Sequence, residues 1–259
     1  MVPRYDASVR VAFTRPVSAT IADCELTFLD RQPIDAARAA AQHEEYERCL
    51  AERCSVERLP AAPDLPDAVF VEDIAVVLDE IAIITRPGAE SRQGETQSVE
   101  SALQRYRPLS RIRAPGTLDG GDILLLDHTI YAGRSRRTND IGIAQLRELA
   151  KGYDVVRVPF DGCLHLKSAV TRIGDRALLL NPEWVDSRLF DGFEAVAVDP
   201  REPHGANALR LDDIILLSDS HPRTRQALER RGYRVETVDV SELEKAEAGV
   251  TCCSIIVEV

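Results

Sequence analysis

Five residues of chemically capable types recur along the chain at near-constant intervals. Asp73, Asp119, His165, Asn207 and Cys252 are separated by 46, 46, 42 and 45 residues. A thiol with an imidazole and carboxylates is the constellation of nucleophilic catalysis: the thiolate attacks, the imidazole moves protons, and an acid orients the imidazole or holds a cationic substrate. Taken singly, none of the five is informative. A histidine among leucines, as at His165, is more often a satisfied core residue, and Gly120-Gly121 after Asp119 marks only a tight approach of backbone. The shared interval turns five ordinary residues into a set.

The first four each open or lie within a similar stretch, a short apolar strand, a tight turn and a second apolar strand, and Cys252 lies in a partial fifth copy. FVEDIAVVLDEIAIITRPG turns at Asp79-Glu80, LDGGDILLLDHTIYAGRS at Asp127-His128, LHLKSAVTRIGDRALLLN at Gly174-Asp175 and NALRLDDIILLSD at Asp212-Asp213. Gly-Asp and Asp-Asp dipeptides between apolar runs are hairpin signals. Helices fall between the hairpins. IGIAQLRELAK carries Ile141, Ile143, Leu146 and Leu149 on one 3.6-period face. HPRTRQALERRG starts with Pro222 and stops at Gly232, the usual asymmetry of helix ends. DVVRVP and YRVETVDV follow these helices as third strands.

The unit is therefore ββαβ, and GVTCCSIIVEV at the C-terminus lacks its partner strand. The N-terminal part supplies VRVAFTRPV, a long helix near Asp35 to Arg53 and a strand from Ser55 to Leu59, the missing pieces. A chain whose last strand completes its first module closes a ring. Residues equivalent in every module of a ring converge on its axis, so the spacing predicts one central cavity lined by acids, a histidine, an amide and a thiol. The adjacent acids Glu72 and Asp73, read as one strand, face opposite sides. At least one is then buried and needs a cation, for which a guanidinium is a planar bidentate match. By the same alternation Cys252 and Cys253 point opposite ways, and alternation does not say which is reactive.

Composition limits the partners. The 259 residues are 44% hydrophobic and 29% charged, and 32 Lys and Arg against 43 Asp and Glu give a net charge of −11. Such a chain forms a core, suits small cationic ligands and is a poor binder of a phosphate backbone. No apolar run approaches the ~20 residues of a membrane helix. The six cysteines form neither a CxxC pair nor a disulfide framework, so no structural zinc site is expected, and a reducing, cytoplasmic setting is.

LPDAVFVEDIAVV, AIITRPGAESR, TLDGGDIL, GRSRRTN, DGCLHLKS and SELEKAEAGVTCCS together resemble the dimethylarginine dimethylaminohydrolases, members of the guanidine-modifying pentein superfamily. The resemblance spans nearly the whole chain. It implies one five-bladed, pseudo-symmetric α/β-propeller domain over residues 1–259. It implies Cys252 as nucleophile, His165 as general acid and base, and Asp119 as the carboxylate beside the histidine. Glu72 and Asp73, with Asp67 nearby, would grip the guanidinium, Arg92 and Arg137 would hold the α-carboxylate, and Leu26 and Ala246 would contact substrate. The implied reaction converts Nω-methylated L-arginines to L-citrulline through an S-alkylthiouronium intermediate, without cofactor or metal. The expected partner is that small molecule, with neither nucleic acid nor membrane, and a homodimer is the assembly considered. Residues 23–33, around Leu26, are the expected cover of the bound substrate. Rival readings are an arginine deiminase or amidinotransferase of the same superfamily, and a non-catalytic arginine-binding propeller. Deiminases are longer and carry a helical insertion for which this chain has no room, and mere binding requires no nucleophile.

Overall fold

A computed structural model describes residues 10–259. The chain begins with β1 (Arg10–Thr14), helix α1 (Ala36–Ala51) and β2 (Ser55–Arg58). Asp35 caps α1 by accepting the amides of Ala37 and Arg38, which satisfies donors the helix cannot pair internally. The next blade holds β3 (Ala75–Val77), β4 (Ala82–Ile84), α2 (Thr96–Leu103) and β5 (Leu109–Arg111). After it come β6 (Ile123–Leu126), β7 (Thr129–Gly133), α3 (Asp140–Leu149) and β8 (Asp154–Val158). A four-residue helix α4 (Leu166–Ala169) leads into β9 (Val170–Gly174), β10 (Ala177–Leu180) and β11 (Glu194–Ala197). The last complete blade is β12 (Ala208–Leu211), β13 (Ile214–Ser218), α5 (Pro222–Glu229) and β14 (Arg234–Val238). Helix α6 (Ser241–Glu244) and β15 (Ile255–Glu258) end the chain.

Each of the five sheets has three strands: an antiparallel pair, and a third strand parallel to the middle one. The fifth is β15-β1-β2, in which Phe13 pairs with Ile255 and Arg10 with Glu258, so the two ends of the described chain meet in one blade and the ring closes as the repeat predicts. The result is a five-bladed α/β propeller.

Five clusters of buried side chains seal the ring, each joining one blade to the next. Ile84 and Ala82 pack toward the closing blade with Phe13 and Val257, while Ile83 packs the other way with Ile123 and Ile130. Leu178 and Leu180 likewise part from Leu179, and Ile214 and Leu216 from Ile215 and Leu217. Both faces of the central strands are covered, so their successive residues, as in Ala82–Ile84, Ala177–Leu180 and Ile214–Leu217, are apolar instead of alternating with polar ones. Truncating a fully buried member such as Leu216 to alanine costs about 2–5 kcal/mol.

Three expectations need correction. The third hairpin turns at Asp175 and Arg176, one residue beyond Gly174-Asp175, with a register shift at Ala177/Leu178. That blade carries only a short 3-10 turn, Ser187–Leu189, where others carry a helix. Ile141 is exposed, because only Ile143 and Leu146 of its helix face the sheet fully. No helix among the described residues is long and apolar enough to cross a membrane.

Candidate active site

The five residues at equal spacing lie in the short turns that precede the blade hairpins, and all five are buried. Asp73 sits in a 3-10 turn, Val71–Ile74, rather than on a strand. Asp119 precedes the 3-10 turn Gly120–Asp122, and His165 stands at the N-terminal boundary of α4. Cys252 lies in a turn closed by its own amide on the Gly249 carbonyl at 3.2 Å, with the Gly249 amide directed at Sγ at 3.4 Å. Strand alternation therefore explains neither Glu72-Asp73 nor Cys252-Cys253, since pairing starts only at Ala75 and Ile255. The side chains do diverge: Cys252 lines the central cavity and Cys253 is packed in the core.

His165 is clamped between two acids. Its Nε2 is 3.1 Å from Asp119 Oδ2 and its Nδ1 is 3.6 Å from Asp73 Oδ1. The second oxygen of Asp119 accepts the Gly88 amide at 2.8 Å, and Asp73 Oδ1 accepts that of Gly121 at 3.0 Å, so both acids are fixed by backbone donors from other turns. Burial alone would lower the His165 pKa. The charge of Asp73, the hydrogen bond with Asp119, and the charges of Asp122 and Asp119 reverse that and hold it at about 9. Burial pulls Asp73 upward, but His165 and Arg92 bring it down to about 2. The Cys252 thiol is pushed up to about 12, first by burial and then by Glu72 and Asp73.

Arg92 is internal. Its Nη1 donates to Asp73 Oδ2 at 2.5 Å, Nε and Nη2 donate to the Glu95 carboxylate at 3.1 and 2.9 Å, and Nη2 also reaches the Phe70 carbonyl. One of its five N–H groups, on Nη1, is left over. Arg137 is far less engaged, with Nη2 on Thr27 Oγ1 at 3.3 Å. Asp67 accepts the Glu25 amide, and burial raises its pKa. Glu72 turns away, held by Lys167 Nζ at 2.6 Å and Thr251 Oγ1 at 2.8 Å.

Of the ten residues predicted for the site, Asp67, Asp73, Arg92, Arg137, His165, Ala246 and Cys252 line one cavity of only about 10 Å3. Asp119 stands directly behind His165. Glu72 and Leu26 are not among its lining residues, and Leu26 packs against the core cluster beneath α1. The spacing singled out Asn207 without giving it a role, and Asp122 and Glu95 escape a reading of the sequence. Asn207 braces the turn of Cys252, accepting the Thr251 amide at 3.0 Å and donating to Lys167 O and Thr251 Oγ1. Buried Asp122 accepts the Leu166 amide, next to His165 in the chain, and Ser135 Oγ. Glu95 neutralises Arg92. Asp122 in GGD and Lys167 two residues after His165 were the available signals.

Asp73, Asp119 and His165 also bring two carboxylate oxygens and an imidazole nitrogen within 4.8 Å of one another. These groups already pair among themselves and with Arg92, which accounts for their closeness without a cation.

Over residues 25–258 the chain matches the family described as N,N dimethylarginine dimethylhydrolase, eukaryotic. It is 40% identical over 250 residues to the N(G),N(G)-dimethylarginine dimethylaminohydrolase of Streptomyces coelicolor, which covers 94% of this chain and 95% of that one. With the protein of the same name from Pseudomonas aeruginosa it shares 38% identity over 229 residues, 85% of this chain and 89% of the other. The crystal structure of DDAH from Pseudomonas aeruginosa, a Cys-to-Ser mutant complexed with citrulline, matches with a TM-score of 0.92 at 34% identity, over 96% of this chain and 100% of that one.

Proposed function

The chain belongs to the dimethylarginine dimethylaminohydrolase family, and from that premise we propose that it hydrolyses Nω-methylated L-arginines to L-citrulline, releasing dimethylamine or methylamine. The observation that carries the proposal is the convergence of Cys252, His165 and Asp73 on one buried cavity that Asp67 and Arg137 also line. With His165 protonated, Asp73, Asp119 and Glu95 against His165 and Arg92 leave one net negative charge, complementary to a guanidinium.

Asp73 faces the methylated guanidinium, with Glu72 as its neighbour once the Lys167 pair yields. Arg137, and the remaining Nη1 proton of Arg92, take the α-carboxylate, and Asp67 takes the α-ammonium. A cation beside the sulfur lowers the Cys252 pKa, so the thiol loses its proton to solvent when substrate binds. Sγ attacks the guanidinium carbon, giving a tetrahedral adduct. His165 donates its proton to the methylated nitrogen, the C–N bond breaks and the amine leaves. The S-alkylthiouronium remains on Cys252. His165, now neutral, takes a proton from water as that water's oxygen attacks the same carbon. Collapse expels the thiolate and leaves the ureido group of citrulline. Asp119, hydrogen-bonded to Nε2, keeps the imidazole oriented through both halves. The six unpaired cysteines support a reducing, cytoplasmic setting for this thiol chemistry.

Incubating the purified chain separately with asymmetric dimethylarginine, monomethylarginine and arginine tests the substrate. Citrulline with dimethylamine from the first is expected. Ammonia from arginine at comparable efficiency, with no dimethylamine from the methylated compound, overturns the substrate assignment.

A further inference from the structure

The cavity at Cys252 has room for about one water, and a methylated arginine needs a far larger space. Something must open. Glu25 lines the cavity, and the loop it belongs to, 24–35, carries neither helix nor strand. The tip of that loop is not held by apolar burial, since Phe28 is 42% exposed and Leu29 36%. Arg137 reaches Thr27 Oγ1 at 3.3 Å and the Arg136 guanidinium lies 5.5 Å from the centre of the Phe28 ring, but all three backbone amides of the tip converge on one carboxylate. Glu247 accepts the amide of Thr27 at 3.0 Å on both oxygens, that of Leu29 at 2.5 Å, and that of Phe28 between them.

The backbone at Glu247 sharpens the point. Helix α6 ends in a Schellman motif: the Ala248 amide bonds Leu243 O at 3.3 Å and the Glu247 amide bonds Glu244 O at 3.0 Å. The residue at the centre of such a motif adopts the left-handed conformation, and Glu247 does so with φ of 59°. Glycine serves that position without strain. A glutamate there is disfavoured unless its side chain is needed. The same turn sets the flanking Ala246 and Ala248 into the wall of the catalytic cavity. The motif that shapes the wall thus also aims the carboxylate at the loop.

We propose that Glu247 is a positioning residue that latches loop 24–35 across the catalytic cavity: substrate enters when three consecutive amides leave its carboxylate and is retained when they return. The proposal rests on the hydrolase reading for what enters, and on geometry alone for the latch. Glu247→Gly is the cleanest test, because it removes the carboxylate while relaxing the backbone, and Glu247→Gln keeps the side-chain size. Hydrogen exchange of the full chain should show the amides of Thr27, Phe28 and Leu29 exchanging about tenfold faster in both variants, the scale expected for losing charge-assisted hydrogen bonds, with strand β10 unchanged. KM for asymmetric dimethylarginine should rise about tenfold while kcat changes little. Loop amides that exchange as in the wild type, in a variant whose β10 stays protected, overturn the latch, as does a fall in kcat at unchanged KM. Faster loop exchange in a chain whose wild type leaves dimethylarginine untouched supports the latch and removes only the substrate.

Discussion

A β-carbon placed on Gly121 would stand 2.6 Å from Nδ1 of His165. It would also be 2.7 Å from Asp73 Oδ1, the atom that receives the Gly121 amide. The glycine is required by this approach and not by its backbone, whose φ lies outside the left-handed region. The two side chains that meet the substrate in the proposed mechanism are packed against a position where no side chain fits.

Gly121→Ala is therefore expected to fold and to displace the imidazole. A shift of about 1 Å in a catalytic group costs on the order of 10²-fold in rate, so kcat/KM for citrulline formation should fall by about that factor. Near wild-type turnover in Gly121→Ala would mean that His165 is not the proton carrier.

The roles proposed for the two cysteines, nucleophile for Cys252 and packing for Cys253, can be separated. Cys252→Ser should abolish turnover, because a serine hydroxyl among Glu72 and Asp73 has no access to its alkoxide. Cys253, buried in the core, should tolerate serine with most of the activity and a stability loss of about 1–3 kcal/mol from the buried hydroxyl. Steady-state assays beside urea denaturation check both. A dead Cys253→Ser with an active Cys252→Ser would exchange their roles.

Ring closure was legible because it depends on pattern alone: apolar pairs around Asp-Asp or Gly-Asp turns repeat, and the last copy lacks a strand that the first supplies. The spacing of Asp73, Asp119, His165, Asn207 and Cys252 likewise survives folding, since equal modules carry equal positions to the axis. What pattern could not show is whom a charge faces. Arg92 reads as free for a substrate carboxylate, yet Asp73 and Glu95, 19 and 3 residues away, take three of its five N–H donors. Glu72 and Asp73 looked like one strand with two faces, but the segment Val71–Ile74 is a 3-10 turn, from which the Asp73 carboxylate reaches the Gly121 amide. Glu247, after a short helix, has the look of a solvated residue until the loop 220 residues earlier folds onto it.

Titration of the histidine should be visible in stability. His165 is held at about 9 against the ordinary 6.5, so its contribution is complete below pH 6.5 and lost as pH rises through 9. Asp73, at about 2 against 3.8, contributes above pH 3.8 and loses its share as pH falls through 2. Asp122, raised by burial to about 6, disfavours the fold as pH rises from 3.8 to 6, below the histidine's window. Urea titrations between pH 6.5 and 9 should thus show wild-type stability declining, and His165→Gln should flatten that slope. A wild-type curve already flat across the window would contradict the double clamp by Asp73 and Asp119.

The two arginines of the cavity should fail in different ways. Arg92→Ala leaves Asp73 and Glu95 buried without their cation, and breaking a buried ion pair by removing one partner costs about 3–5 kcal/mol. Its main signature is a lower urea midpoint, with activity lost as Asp73 drifts from His165. Arg137 has one hydrogen bond, at 3.3 Å to Thr27, so Arg137→Ala should leave the midpoint nearly unchanged. Its loss should appear as a higher KM for dimethylarginine, on the order of 10-fold or more for a missing charged contact. The comparison is sharpest with a substrate lacking the α-carboxylate: Arg137→Ala should treat it as the wild type does, whereas Arg92→Ala should remain impaired. Equal stability losses in the two variants would place Arg137 in the framework with Arg92, and the carboxylate of the substrate would need another partner.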